Sequence, residues 1–294
     1  MNQLTFGRYT NYNTPIHRID PRTKIFLLIV FLVTIFLRVD SWSTTLIMTA
    51  FLFTIFVIFF AIAKINFLDL FKSLKAMWFL ILFLLIIYIF VPNATYDPTH
   101  IAFYIGTFPV YYDAFFQAAY IIMRIVMMLM VVMLLTSTTS PMNLTYALEW
   151  YMTPLTLIKF PSHIVAMTLS IALRFIPTLL DETDRIMKAQ SSRGVSFARG
   201  GFMKKFKAII SLIIPLFVSA INRSEELSNA MEARGYDPYA KRSRYRKMNF
   251  SYLDIIALLV GLLILGAVIT LVVYDRNVSK VDLIYWIFGQ KPLF

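Results

Sequence analysis

Cysteine is absent from all 294 residues, which removes disulfides, thiolate nucleophiles and cysteine metal sites together. Histidine occurs three times, as His17, His100 and His163, scattered between apolar runs in a way that suggests neither a metal site nor a catalytic dyad. Acidic residues number 16 against 28 Lys and Arg, a net charge of +12, and charged residues of either sign make up only 15% of the chain. That is little polar surface for a water-soluble protein of this length. The 9 glycines include no G-x-x-x-x-G-K-[ST], so the chain has no phosphate-cradling loop and is not expected to hydrolyse ATP itself.

What the chain does have is apolar length. Hydrophobic residues reach 59%, mean hydropathy is +0.70, and there are 27 Phe. These values define an all-α integral membrane protein. Runs able to cross as helices of roughly 20 residues lie at 21–37, 43–63, 76–91, 114–136 and 251–274, the first and third being short. Asp20 and Pro21 read as N-cap and first helical residue, so the first helix begins ahead of its apolar part. Polar-rich sequence precedes that run, unlike the start of a cleaved signal peptide.

Five spans divide the positive charge unequally. The N-terminus, the 64–75 loop and the 137–250 region share one side and hold 23 Lys and Arg, whereas the other side holds Arg38, Arg276, Lys280 and Lys291. The positive-inside rule places the N-terminus and the large region in the cytoplasm, and the bilayer, not nucleic acid, explains the basic charge. The expected organisation is an N-terminal transmembrane part at 1–136, cytoplasmic or interfacial coupling helices at 137–250, about three in number, and a C-terminal span with an outer tail at 251–294.

Between the third and fourth spans, Ile101, Phe103 and Ile105 alternate, as do Phe108, Val110 and Tyr112 past Gly106, which predicts a small hairpin. TSTTSP at 136–141 is a turn and cap signal before NLTYALEWYMTPL, whose Trp150 and Tyr151 suit a helix at headgroup level. Two long segments come next, one from His163 to Gly194 and one from Lys207 to Gly235. Each has an almost uncharged first half with an Ile-Pro pair, Ile176-Pro177 or Ile214-Pro215, then a charged second half. Leu169, Leu173, Ile176 and Leu180 form one helical stripe; Ile210, Ile214, Phe217 and Ile221, continued by Leu227 and Met231, form another. The distance from Pro to the closing Arg is 16 residues in one and 19 in the other, a weak pseudo-repeat offset by about one turn.

Both segments close on small-Arg-Gly. Glycine accommodates the left-handed position after a helix, and a cation there complements the helix dipole, so capping alone explains either ending. Two such endings in one cytoplasmic region support a second reading, in which each planar guanidinium docks bidentately on a partner's carboxylate. The stretches PIHRIDPRTK at 15–24, LLTSTTSP at 134–141, LRFIPTLLDETDRIMKAQSSRG at 173–194 and AMEARGYDP at 230–238 resemble the transmembrane T component of energy-coupling factor transporters. The resemblance implies that Ser192-Arg193-Gly194 and Ala233-Arg234-Gly235 end coupling helices seated in grooves of two cytoplasmic ABC-type ATPases. It further implies a separate substrate-binding membrane subunit, of one or several kinds, that serves vitamin or metal uptake. ATP and Mg would be bound by the ATPases, with no cofactor or metal in this chain. The first tripeptide has Ser where the family often has Ala, and both are small.

Other residues support rival readings. Arg124, in the middle of the fourth span, is expected to face a polar pocket or partner, or to bond local helix carbonyls, because a mid-bilayer arginine against lipid costs at least about 2.5 kcal/mol. It offers the site of a stand-alone secondary transporter. Met123, Met127, Met128, Met130 and Met133 around it suit ordinary core, or a pliable surface for several partners. Asp181, Glu182 and Asp184 resemble the metal-pyrophosphate ligands of a membrane prenyl-transferring enzyme. The plainer reading of them is the i,i+4 pairs Asp181 with Arg185 and Asp184 with Lys188. Ala198-Arg199-Gly200 repeats the small-Arg-Gly pattern without a helix leading into it.

Overall fold

The computed structural model describes residues 12–37, 42–90, 101–105, 108–158, 161–197, 201–237 and 250–278. It divides into two compact units, 1–140 with 248–294, and 141–247.

The first unit contains a short turn of helix α1 (Pro15–Arg18), then α2 (Pro21–Phe36), α3 (Trp42–Ala63), α4 (Phe67–Ala76), α5 (Trp78–Phe90), α6 (Tyr112–Thr138) and α10 (Tyr252–Val278). Asp20 caps α2 as its composition predicts, its carboxylate accepting from the Arg22 N–H at 2.9 Å with Pro21 at the first helical position. The hairpin is also formed: β1 (Ile101–Ile105) pairs antiparallel with β2 (Phe108–Tyr111), with an irregularity between Ile101 and Phe103. Around Phe31, Ile35, Met48, Leu52, Phe56, Phe60 and Val268 the helices bury a common core, into which Met127, Met130 and Met133 also point. Core packing, then, is the role of most of the methionine run; Met123 is at the surface. Gly261 lets α10 approach α2 closely, because a Cβ there would stand 2.3 Å from Leu27 Cδ2.

Polar side chains lock one end of this bundle. At the start of α10 the Asp254 N–H donates to Ser251 O at 3.0 Å, and the Asp254 carboxylate accepts the Ser251 N–H at 2.7 Å, the side-chain-to-backbone half of a capping box. Its other oxygen accepts the Asp20 N–H at 2.6 Å, so one fully buried carboxylate joins the starts of α10 and α2. Lys24 Nζ donates to Thr138 O at 2.9 Å and to His17 O at 3.3 Å, supplying a partner to the last carbonyl of α6.

Among the described residues five helices are long and apolar enough to cross a membrane, or six if α4 and α5 together form one broken span, and they overlap only in part with the five runs expected from the sequence. Thr44–Ala63, Ala114–Thr138 and Tyr252–Asp275 are among those expected. The helix at α2 is only 16 residues long, and α5, at 13 residues, is bent by 62° from α4. The other two of adequate length are α8 (Ser162–Ser192) and α9 (Phe202–Ala233) in the second unit, expected here as cytoplasmic or interfacial helices. Their apolar stretches, 163–180 with Arg174 alone charged and 208–222 with no charge, give them that capacity, since an apolar run suits a crossing helix and an interfacial one alike. The second unit also contains α7 (Pro141–Met152), followed by a 3-10 turn at Thr153–Ile158.

Candidate functional site: two capped helix ends and the clamp behind them

Helices α8 and α9 run through Pro177 and Pro215 and end in the same geometry. In α8 the Gly194 N–H donates to Ser191 O at 3.0 Å and the Val195 N–H to Gln190 O at 3.0 Å, with Gly194 at φ +85°. In α9 the Gly235 N–H donates to Glu232 O at 2.9 Å and the Tyr236 N–H to Met231 O at 3.0 Å, with Gly235 at φ +68°. Both are complete Schellman motifs, in which a left-handed residue turns the chain back so that two further amides cap the last carbonyls. Arg193 and Arg234 occupy the equivalent position, the final half-helical residue, with backbone angles of −85°, 10° and −89°, 9°.

Ser192, Arg193, Gly194, Ala233, Arg234 and Gly235 are all exposed. Among the described residues, neither Arg193 nor Arg234 makes a side-chain hydrogen bond or ion pair. Each guanidinium therefore projects from a rigidly capped helix end with its donors unused. Residues 198–200, including Arg199, lie outside the described residues.

Behind the two ends lies a cluster that the sequence did not reveal. Glu182 on α8 accepts from Ser219 Oγ of α9 at 2.5 Å and from Arg223 Nη2 at 3.1 Å. Arg223 Nη1 reaches Thr178 Oγ1 at 3.1 Å, and its guanidinium lies 5.7 Å from the centroid of the Phe175 ring. Of the acidic set, Glu182 alone serves helix pairing. Glu182 bonds across to α9, and among the described residues Asp181 and Asp184 are exposed and close neither expected i,i+4 pair. Counted from Glu182 to Arg193 and from Arg223 to Arg234 the two arms are of equal length, 11 residues or about 16 Å. Counting from the prolines hid this equality. The sequence carried no sign of which of several charged residues would pair across helices.

On α9 the predicted stripe is real and, among the described residues, has no cover: Ile210, Ile214, Phe217 and Ile221 are all exposed, Phe217 at 64%. The N-terminal part of the unit is tied differently, His163 Nδ1 standing 3.4 Å from the buried Glu149 carboxylate. In the first unit Arg124 bonds neither a helix carbonyl nor an acidic group. Its Nη2 donates to Tyr120 O–H, and its guanidinium lies over the Tyr120 and Phe36 rings, 4.7 and 5.5 Å from their centroids.

A helical membrane protein that presents two matched cationic helix ends and a long uncovered apolar stripe is, by class, a subunit built to assemble with others. Comparison with known proteins gives the same class. Residues 12–245 match the family model described as cobalt transport protein. The energy-coupling factor transporter transmembrane protein EcfT of Bacillus subtilis (strain 168) is 39% identical over 269 residues, covering 92% of this chain and 98% of the relative. The EcfT proteins of Brevibacillus brevis and Macrococcus caseolyticus are 37% and 35% identical, covering 90% and 94% of this chain and 96% and 100% of the relatives. The chain belongs to the family of transmembrane components of energy-coupling factor transporters. It is a multi-pass membrane transporter component and not a catalytic enzyme, and neither the lone-transporter reading of Arg124 nor the prenyl-transferring reading of Asp181 and Asp184 is favoured.

Proposed function

We propose that this chain is the scaffold of an importer for a vitamin or metal ion, coupling two cytoplasmic ATPases to a separate substrate-binding membrane subunit. The observation that carries this reading is the pair of identical helix ends, each presenting an unbonded arginine. One such end is a cap; two with the same geometry, at equal distance from a shared clamp, suit two copies of one kind of receptor. Each guanidinium docks on a carboxylate in an ATPase groove, a contact that Lys, lacking the planar fork, reproduces poorly. ATP and Mg are held by the ATPases. When ATP draws those subunits together, the two ends move with them and the Glu182–Arg223 clamp transmits the displacement along α8 and α9. The exposed α9 stripe then carries it to the substrate-binding subunit. The basic 137–250 region and the N-terminus face the cytoplasm.

Co-purification from detergent tests this directly. The tagged wild-type chain is expected to bring down ATPases, and Arg193→Ala with Arg234→Ala to lose them while remaining membrane-inserted. A double variant that retains its ATPases and supports normal uptake refutes the docking role.

A further inference from the structure

Among the described residues three helices end in the same motif, and two of them use glycine. At the end of α3 the Lys64 N–H donates to Ala61 O at 3.1 Å and the Ile65 N–H to Phe60 O at 3.2 Å, the pattern seen after α8 and α9. The left-handed position is taken by Lys64, at φ +55°, and among the described residues it is the one non-glycine residue at positive φ. A side chain there is strained where glycine would not be. Strain of this kind persists where the side chain is needed.

The helix immediately after Lys64 indicates the need. The ten-residue α4 buries Leu70 and leaves Phe67, Leu68 and Phe71 exposed, at 41%, 65% and 65%. Exposed Lys72 and Lys75 lie on the same helix. Asp69 offsets part of that charge, its carboxylate 3.2 Å from Lys72 Nζ. The 62° bend between α4 and α5 directs α4 away from the axis of its neighbour. Lys72 lies at the edge of that apolar face and Lys75 at its C-terminal end, one turn beyond Phe71, so that α4, placed where the apolar α3 ends, has the form of a helix lying in the membrane interface.

We propose that Lys64, Lys72 and Lys75 form a binding surface for the headgroups of anionic phospholipids, with Phe67, Leu68 and Phe71 seated among the acyl chains. The occupant is lipid because the charges border an apolar face; a soluble anion needs no such face, and a protein partner would leave Phe71 and Leu68 without the bilayer their exposure suits. Lys64 adds a cation at the exit of α3 that glycine would not supply.

The test uses the full-length protein in detergent, incubated with an equimolar mixture of phosphatidylglycerol and phosphatidylcholine, with bound lipid counted by native mass spectrometry. The wild type is expected to retain phosphatidylglycerol several-fold over phosphatidylcholine, and Lys64→Gln with Lys72→Gln and Lys75→Gln to bring the ratio to parity, each lysine contributing up to about fivefold. The single variant Lys64→Gly separates fold from binding. Relief of the backbone strain raises its Tm by about 2–4 °C, while its phosphatidylglycerol preference falls below that of the wild type. Equal retention of the two lipids by the wild type overturns the proposal. So does an unchanged preference in the triple variant, or in Lys64→Gly.

Discussion

The clamp between α8 and α9 permits a quantitative experiment. Glu182→Ala removes the acceptor of both Ser219 and Arg223, leaving Arg223 with Thr178 alone; Arg223→Ala leaves Glu182 with Ser219. A charge-assisted bond of this kind contributes about 1.5–3 kcal/mol when shielded. Here the Glu182 side chain is 23% exposed and Arg223 34%, so water screens the pair. A coupling of about 1–2 kcal/mol is expected, between the values for a shielded bond and an open surface pair. That changes the ratio of clamped to unclamped helices about 5- to 30-fold. The geometric effect is larger at the ends than at the clamp, because a rotation of about 10° on an arm of about 16 Å swings each end by about 3 Å. The absence of cysteine allows spin labels at Ser192→Cys and Ala233→Cys with no background, and pulsed dipolar spectroscopy reads the distance between them. Glu182→Ala and Arg223→Ala are each expected to broaden the distance distribution, and the double variant to add little to either. Distributions identical to the parent in both single variants would show that the clamp does not set the spacing of the ends. Broadening that adds fully in the double variant would show that the two residues act separately.

If Arg193 and Arg234 dock as proposed, they differ from their neighbour in sequence: Arg193→Ala and Arg234→Ala are expected to abolish uptake, Arg→Lys to restore part of it, and Arg199→Ala to retain most. Equal damage from all three, measured side by side, would replace helix-end presentation with a diffuse basic surface. Gly194→Ala and Gly235→Ala meet no atom within 4 Å, so their cost is conformational, about 1–2 kcal/mol each, and Asn should cost less; thermal unfolding in detergent checks this, and a neutral Ala at both positions refutes it. For orientation, a maleimide that cannot cross membranes should label Tyr104→Cys in intact cells and Lys72→Cys only after lysis, and the opposite pattern would invert the topology.

Local chemistry was the legible part. The Asp20-Pro21 helix start, the alternation behind the hairpin and the glycine after each arginine rest on contacts within a few residues, so their signal is contained in a short window. Span assignment is open where composition has two physical outcomes: the apolar stretches of α8 and α9 are as suitable for crossing as for lying along an interface, and the short runs at α2 and α5 give helices of 16 and 13 residues. Cross-helix polar contacts were invisible for another reason. Glu182 had Arg185 nearby in sequence, yet its partner is Arg223, 41 residues away, and only the docking of α9 selects it. Likewise the Asp254 carboxylate bonds the Ser251 N–H within its own turn, and nothing local shows that its second oxygen is reserved for Asp20.

The bond between Asp254 and Asp20 constrains how the protein is made. The two residues are separated by 234 positions, and the whole second unit is translated between them. When α2 and α6 have already entered the bilayer, the Asp20 amide and the face of α2 beside Leu27 still lack α10. Helices α8 and α9 therefore leave the ribosome before the bundle of the first unit can close. Arrival of α10 is the closing event, and a chain interrupted between Gly235 and Ser251 carries both Arg193 and Arg234 on an unfinished bundle. Membrane quality control that reads unsatisfied polar groups within the bilayer would find its signal there, at the start of α2, and α10 would silence it.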